Sequence, residues 1–126
     1  MTSLVLDAGA FIGWERGDST VRAHLEAARR LGLPLHSTSP VIAQVWRDGS
    51  KQALLARLVK SVDVSSPSLA VAQRAGELCR LTRTVDVVDA MLVATAPDSS
   101  TVLTSDPLDI AMLAEAAEIG LTVVKV

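Results

Sequence analysis

Hydrophobic and polar positions along this chain fall into two kinds of block. Short runs rich in β-branched residues predict strands: "SLVL" (3–6), "LPLHS" (33–37), "VDV" (62–64), "TVLT" (Thr101–Thr104) and "TVVK" (Thr122–Lys125). Longer Ala- and Leu-rich stretches between them carry helical spacing. Ser19–Leu31 places Val21, Leu25, Ala28 and Leu31 on one stripe. Residues 50–60 do the same with Ala53, Leu54 and Leu58, leaving Lys51, Arg57 and Lys60 elsewhere. The stretch 67–81 begins with Pro67 after a serine, which marks it as the first helical residue. The stretch 107–118 is Ala-rich, with Gly120 as its stop. One further apolar segment, "TVDVVDAMLVATA" (84–96), is headed by two aspartates three residues apart.

Strands alternating with helices predict an α/β domain with a mostly parallel sheet. The strands are nearly continuous apolar runs, as expected where helices cover both faces. In such sheets, sites form beyond the carboxyl ends of the strands, where the strand order reverses. The residues that follow each strand are therefore the first place to look for chemistry.

Composition narrows the field. At 126 residues the prediction is one domain, 1–126, with a core that needs no disulfide or structural metal. Phe11, Trp14 and Trp46 are the only aromatics, so base stacking is not the main binding device. Phe11 and Ile12 are expected in the core, and Trp14 fits either core or surface. A net charge of −2 confines any contact with nucleic acid to a local basic patch. Cys79 is alone, which excludes an internal disulfide and a cysteine zinc cluster; a cytoplasmic setting is the simplest. Met1 leads straight into the first strand pattern, with no signal-peptide pattern and no apolar run of membrane length.

Aspartates follow two of the strands: Asp7 after "SLVL" and Asp106 after "TVLTS". Asp89 sits at the head of the segment before the second of these. If the two strands are neighbours, three carboxylates from distant parts of the chain converge. Such charges repel and raise each other's pKa. A hard divalent cation, Mg²⁺ or Mn²⁺, resolves the conflict, because both favour oxygen ligands. A site of this kind activates water and steadies a phosphodiester in its transition state. Ordinary capping is the competing account. Asp7 can cap "AGAFIGW", Asp106 precedes Pro107, and Asp86 and Asp89 fit the cap and third positions of a helix. No glycine-rich nucleotide loop or serine elbow is present, and His24 and His36 lack metal-ligand spacing. A phosphatase-like use of Asp7 as nucleophile is disfavoured by Gly9, where a second aspartate is usual.

"LVLDAGAFI", "SPVIAQVW", "DVVDAMLVATA" and "VLTSDPLDI" occur in the order and spacing of a PIN domain. The chain resembles that family over nearly its whole length, most closely the small VapC-type toxins of bacterial toxin–antitoxin pairs. The resemblance implies a three-layer α/β/α sandwich around a mostly parallel sheet, and a Mg²⁺- or Mn²⁺-dependent ribonuclease. It implies Asp7, Asp89 and Asp106 as metal ligands, Thr104 as the supporting hydroxyl and, more loosely, Asp109 as a further acidic residue. It also implies an RNA substrate, an antitoxin whose tail covers the site, and a homodimer. Gln44 stands where the family usually has a glutamate. An amide keeps length and a carbonyl oxygen but loses charge, so a catalytically weak RNA- or protein-binding module is the alternative. Asp86, one turn from Asp89, is a possible replacement for the lost charge. Arg16, Arg47, Lys51 and Arg83, with Arg57 and Arg80, are the candidate phosphate contacts, and Arg47 is expected to share a helical face with Gln44.

Overall fold

In the computed structural model, which describes residues 3–126, β1 (Leu4–Leu6) leads into α1 (Ala8–Glu15) and α2 (Ser19–Leu31). There follow β2 (Leu35–Thr38), α3 (Ser39–Val45), a 3₁₀ turn (Gly49–Lys51), α4 (Ala53–Lys60) and β3 (Asp63–Ser65). The chain continues through α5 (Leu69–Thr82), α6 (Val87–Thr95), β4 (Thr101–Thr104), α7 (Pro107–Ala117) and β5 (Thr122–Lys125). Met1 and Thr2, on which the reading of a leaderless start and the outer edge of the 1–126 domain rest, lie outside the described residues.

The strands form one sheet in the order β3-β2-β1-β4-β5, with every neighbouring pair parallel. Parallel strands need crossovers, and these are right-handed. The chain steps from β1 to β2 to β3 in one direction and from β4 to β5 in the other. Helices α1 to α4 therefore pack together on one face and α5 to α7 on the other, which makes the three-layer α/β/α sandwich. β1 lies at the centre. Leu4, Val5 and Leu6 are each 2% exposed or less, as a strand covered on both faces must be. The order reverses between β1 and β4, so the crevice predicted from topology opens at their carboxyl ends.

Several local expectations are corrected. The helix predicted over 50–60 is two pieces: the 3₁₀ turn, then α4 after Gln52. That shift re-aims the stripe, so Leu55 and Leu58 are buried while Ala53 and Leu54 are exposed. Pro67 is not the first residue of α5. Ser68 caps that helix by accepting the Val71 N–H, so the helix starts at Leu69, two residues later than predicted. Leu31 ends α2 exposed, because Gly32 turns left-handed there. α7 stops at Glu118, itself left-handed, before Gly120 is reached. Phe11 is fully buried, but Ile12 is 37% exposed and not core. Trp14 is half-buried and donates its indole N–H to the Leu54 carbonyl at 3.3 Å.

Candidate metal centre

Asp7 is the first residue after β1, and its register sets its neighbours. Val5 pairs with His36 and Leu6 with Leu103. Continuing each ladder by residue number places Asp7 between Thr38 and Thr104. Asp7 caps α1, its Oδ1 accepting the Ala8 N–H at 2.8 Å. Its Oδ2 accepts the Thr104 hydroxyl at 2.6 Å, and that same hydroxyl oxygen accepts the Asp106 N–H at 3.0 Å. Thr104 is fully buried, so it ties two acidic residues together from inside the sheet edge.

Asp106 occupies the cap position of α7 but makes no side-chain capping bond. Pro107 at the first helical position removes one N–H that such a cap would serve. Capping therefore accounts for Asp7 in part and does not engage the Asp106 carboxylate. On α6 the roles divide. Asp86 is the cap, its Oδ1 accepting the Asp89 N–H at 3.0 Å, while its own N–H donates to Thr84 Oγ1. Asp89 is 2% exposed, and its Oδ2 has no hydrogen-bond partner.

The three carboxylates meet. One oxygen from each of Asp7, Asp89 and Asp106 lies within 4.8 Å of the others. Asp86 and Asp109 are not among the converging groups. Among the described residues the ion pairs are His36–Asp63 and Arg74–Glu77, so no lysine or arginine neutralises the cluster. Burial, then the Asp7 and Asp86 charges, push the Asp89 carboxyl up to about 8. Burial also raises Asp7, against the lowering effect of the Thr104 and Ala8 hydrogen bonds. The cluster thus holds either protons or a cation. Its donors are all carboxylate oxygens and one of them is orphaned, which suits a hard divalent ion and not a thiophilic one.

Gln44 lies in the last turn of α3, exposed, and its amide makes no hydrogen bond among the described residues. Arg47 lies beyond that helix rather than on its face. Its guanidinium donates to the Ala43 and Trp46 carbonyls and closes the helix end. Arg16 caps α1 at its C-terminus, exposed, and Lys51 is exposed in the 3₁₀ turn. Arg57 lines an apolar cavity of about 520 Å³ between α2 and α4, with Trp14 and Leu25. That cavity does not include the carboxylates. Arg80 sits in the last turn of α5, and Arg83 follows that helix.

Two features were not legible in the sequence. Thr38 is fully buried, stands level with Asp7 in the neighbouring strand, and leaves its hydroxyl without a partner. Gly9 has its Cα against Ser105, so that a Cβ there would overlap Ser105 Oγ and stand 3.1 Å from Ser105 Cβ. Only the glycine itself signals this close approach. Gly9→Ala is expected to cost about 1–3 kcal/mol in chemical denaturation, the usual size of an overpacking penalty. Ser105→Gly in the same chain recovers most of it; no recovery would place the strain elsewhere.

The PIN domain family model matches residues 4–108. The chain belongs to the PIN domain family. All three converging aspartates of this PIN domain lie in the matched span, and PIN domains are generally nucleases. A chain in the crystal structure of VapBC2 from Rickettsia felis, bound to a DNA fragment from their promoter, superposes with a TM-score of 0.66. The match covers 98% of each chain at 13% identity, a likeness of fold. No curated protein matches the chain.

Proposed function

We propose that this PIN domain is a Mg²⁺- or Mn²⁺-dependent endoribonuclease, the toxin of a toxin–antitoxin pair. One observation carries the reading. Three carboxylates converge at the switch point of the sheet with no basic side chain to neutralise them. Asp7, Asp89 and Asp106 hold the cation. When bound, it supplies positive charge to the phosphodiester and eases deprotonation of the attacking water. Thr104 keeps one Asp7 oxygen engaged and fixes the backbone of Asp106, so the ligand set is positioned before substrate arrives. Gln44 offers a neutral amide to orient water or the ligands.

Arg16, Lys51 and Arg83 are exposed and free to meet RNA phosphates, whereas Arg47 is engaged with its own helix. The fold likeness to a chain of a VapBC2 complex supports an antitoxin protein as partner; assembly as a homodimer belongs to the same proposal. A cytoplasmic setting follows from that role. No described helix is long and apolar enough to cross a membrane.

The test is cleavage of an RNA oligonucleotide with Mn²⁺ or Mg²⁺ by wild type and by Asp7→Asn. We expect a loss of at least about a hundredfold in the variant, since it removes an anionic ligand from the proposed cation site. Equal cleavage by the two proteins would refute the site. The second reading, a catalytically weak binding module, is favoured by one feature: Gln44 brings no charge to the site. Calorimetric titration separates the two, because absence of saturable Mn²⁺ binding at millimolar concentration supports the module.

A further inference from the structure

A small cavity of about 220 Å³ opens between the end of α5 and the start of α7, lined by Thr82, Arg83, Thr84, Asp109 and Met112. Two connections link its lining to the carboxylate cluster. Thr84 Oγ1 accepts the N–H of Asp86, the residue that caps the helix of Asp89. Asp109 lies one helical turn beyond Asp106 on α7. Arg83 supplies the only positive charge in this lining. It makes no ion pair within 4 Å among the described residues, with Asp109 or any other carboxylate. Thr82 turns its hydroxyl back to the Leu78 carbonyl, which leaves the Arg83 guanidinium as the charged uncommitted donor in the lining, beside the neutral Thr84 O–H.

The backbone sharpens the point. Arg83 has φ 58°, in the left-handed region, as the capping residue of α5. Glycine takes that conformation at least cost. A side chain is present at a position where its removal would relieve strain, and that side chain is a guanidinium in the same lining as Asp109.

We propose that this cavity is the subsite for a backbone phosphate of single-stranded RNA, flanking the phosphodiester at the metal centre, with Arg83 as its ligand. The proposal rests on the ribonuclease reading above. A guanidinium suits a phosphate through its fork of N–H donors. Such a contact positions the strand without reading its sequence. Asp109, in the same lining, opposes the phosphate and weakens the subsite.

The experiment is fluorescence anisotropy of a labelled single-stranded RNA oligonucleotide, in Ca²⁺ and over a range of salt. It uses wild type, Arg83→Gly, Arg83→Lys and Asp109→Asn, each with its thermal midpoint and cleavage rate in Mn²⁺. Arg83→Gly is expected to weaken binding by about tenfold or more, as for one charge-assisted contact. It also lowers the slope of log K against log salt by about 0.7, one phosphate on a single strand. Its thermal midpoint stays level or rises, because glycine suits the backbone. Arg83→Lys recovers part of the affinity and the whole slope, and Asp109→Asn binds more tightly than wild type. Unchanged affinity and slope in Arg83→Gly overturn the subsite, even if wild type cleaves RNA. A loss of affinity that comes with a changed oligomeric state assigns Arg83 to a protein contact and also overturns it. Wild type that binds RNA through Arg83 without cleaving it would count against the nuclease reading and leave the subsite standing.

Discussion

Asp89→Asn will raise the thermal midpoint of the metal-free protein at neutral pH, by roughly 5–15 °C, while abolishing its response to Mn²⁺. The expectation follows from the proton balance of one buried carboxyl. In the unfolded chain it titrates near 3.8, and in the fold near 8. The folded state holds the proton more tightly, so Asp89 contributes its full stability below about pH 4. That contribution is lost progressively as the pH climbs toward 8. At pH 7 the deficit is on the order of 4 kcal/mol. Asparagine has the same shape and no proton to lose, and its amide N–H groups face carboxylates of Asp7 and Asp106 that lie within 4.8 Å. The variant should therefore lose less of its thermal midpoint than wild type as the pH rises across about 5–8, the remaining slope coming from Asp7, which burial also raises. A divalent cation is expected to act in the opposite sense on wild type: one that binds the ionised cluster raises the midpoint more at about pH 8 than at about pH 6. A variant that melts lower than wild type at every pH in this range would show that Asp89 is held by contacts other than those described.

Thr104→Val is the second large effect. The hydroxyl is fully buried and serves two partners, Asp7 Oδ2 at 2.6 Å and the Asp106 N–H at 3.0 Å. Valine keeps the volume and removes both bonds, leaving a buried carboxylate oxygen and a backbone N–H unsatisfied. Each orphan costs about 1–3 kcal/mol, more for the charged group. The expected loss is about 3–5 kcal/mol in urea unfolding, together with the Mn²⁺-dependent rise in midpoint. Thr104→Ser keeps the hydroxyl and should stay within about 1.5 kcal/mol of wild type. If serine and valine cost the same, the methyl packing and not the hydroxyl is what Thr104 supplies.

The sheet edge was legible because strand signals and aspartates coincide. "SLVL" and "TVLT" read as strands from β-branching alone, and the acids after them fall where parallel sheets build sites. Helix bounds were less legible wherever a local feature decided the phase. Nothing in residues 50–60 distinguishes Leu54 from Leu55 until the 3₁₀ turn at Gly49–Lys51 fixes where α4 begins. Ser68 and Pro67 are both good starts, and the side-chain bond to Val71 chose between them. Arg47 read as sharing a helical face with Gln44, because no glycine or proline marks the end of α3 at Val45, where Trp46 turns extended. The division between Asp86 and Asp89 needed coordinates. Both fit a capped start, and only burial shows that one caps while the other faces its fellow acids.

The bond between Thr104 and Asp7 spans 97 positions, and so does the contact of Ser3 with Ser100. Few local contacts can substitute for closure of that loop. During synthesis, Asp7 emerges first and waits for nearly the entire chain before Asp89 and Asp106 join it. A chain interrupted anywhere before β4 carries at most two of the three acids and lacks the strand that aligns them. An acidic centre built this way is absent while the chain is being made and becomes complete only as its last third docks.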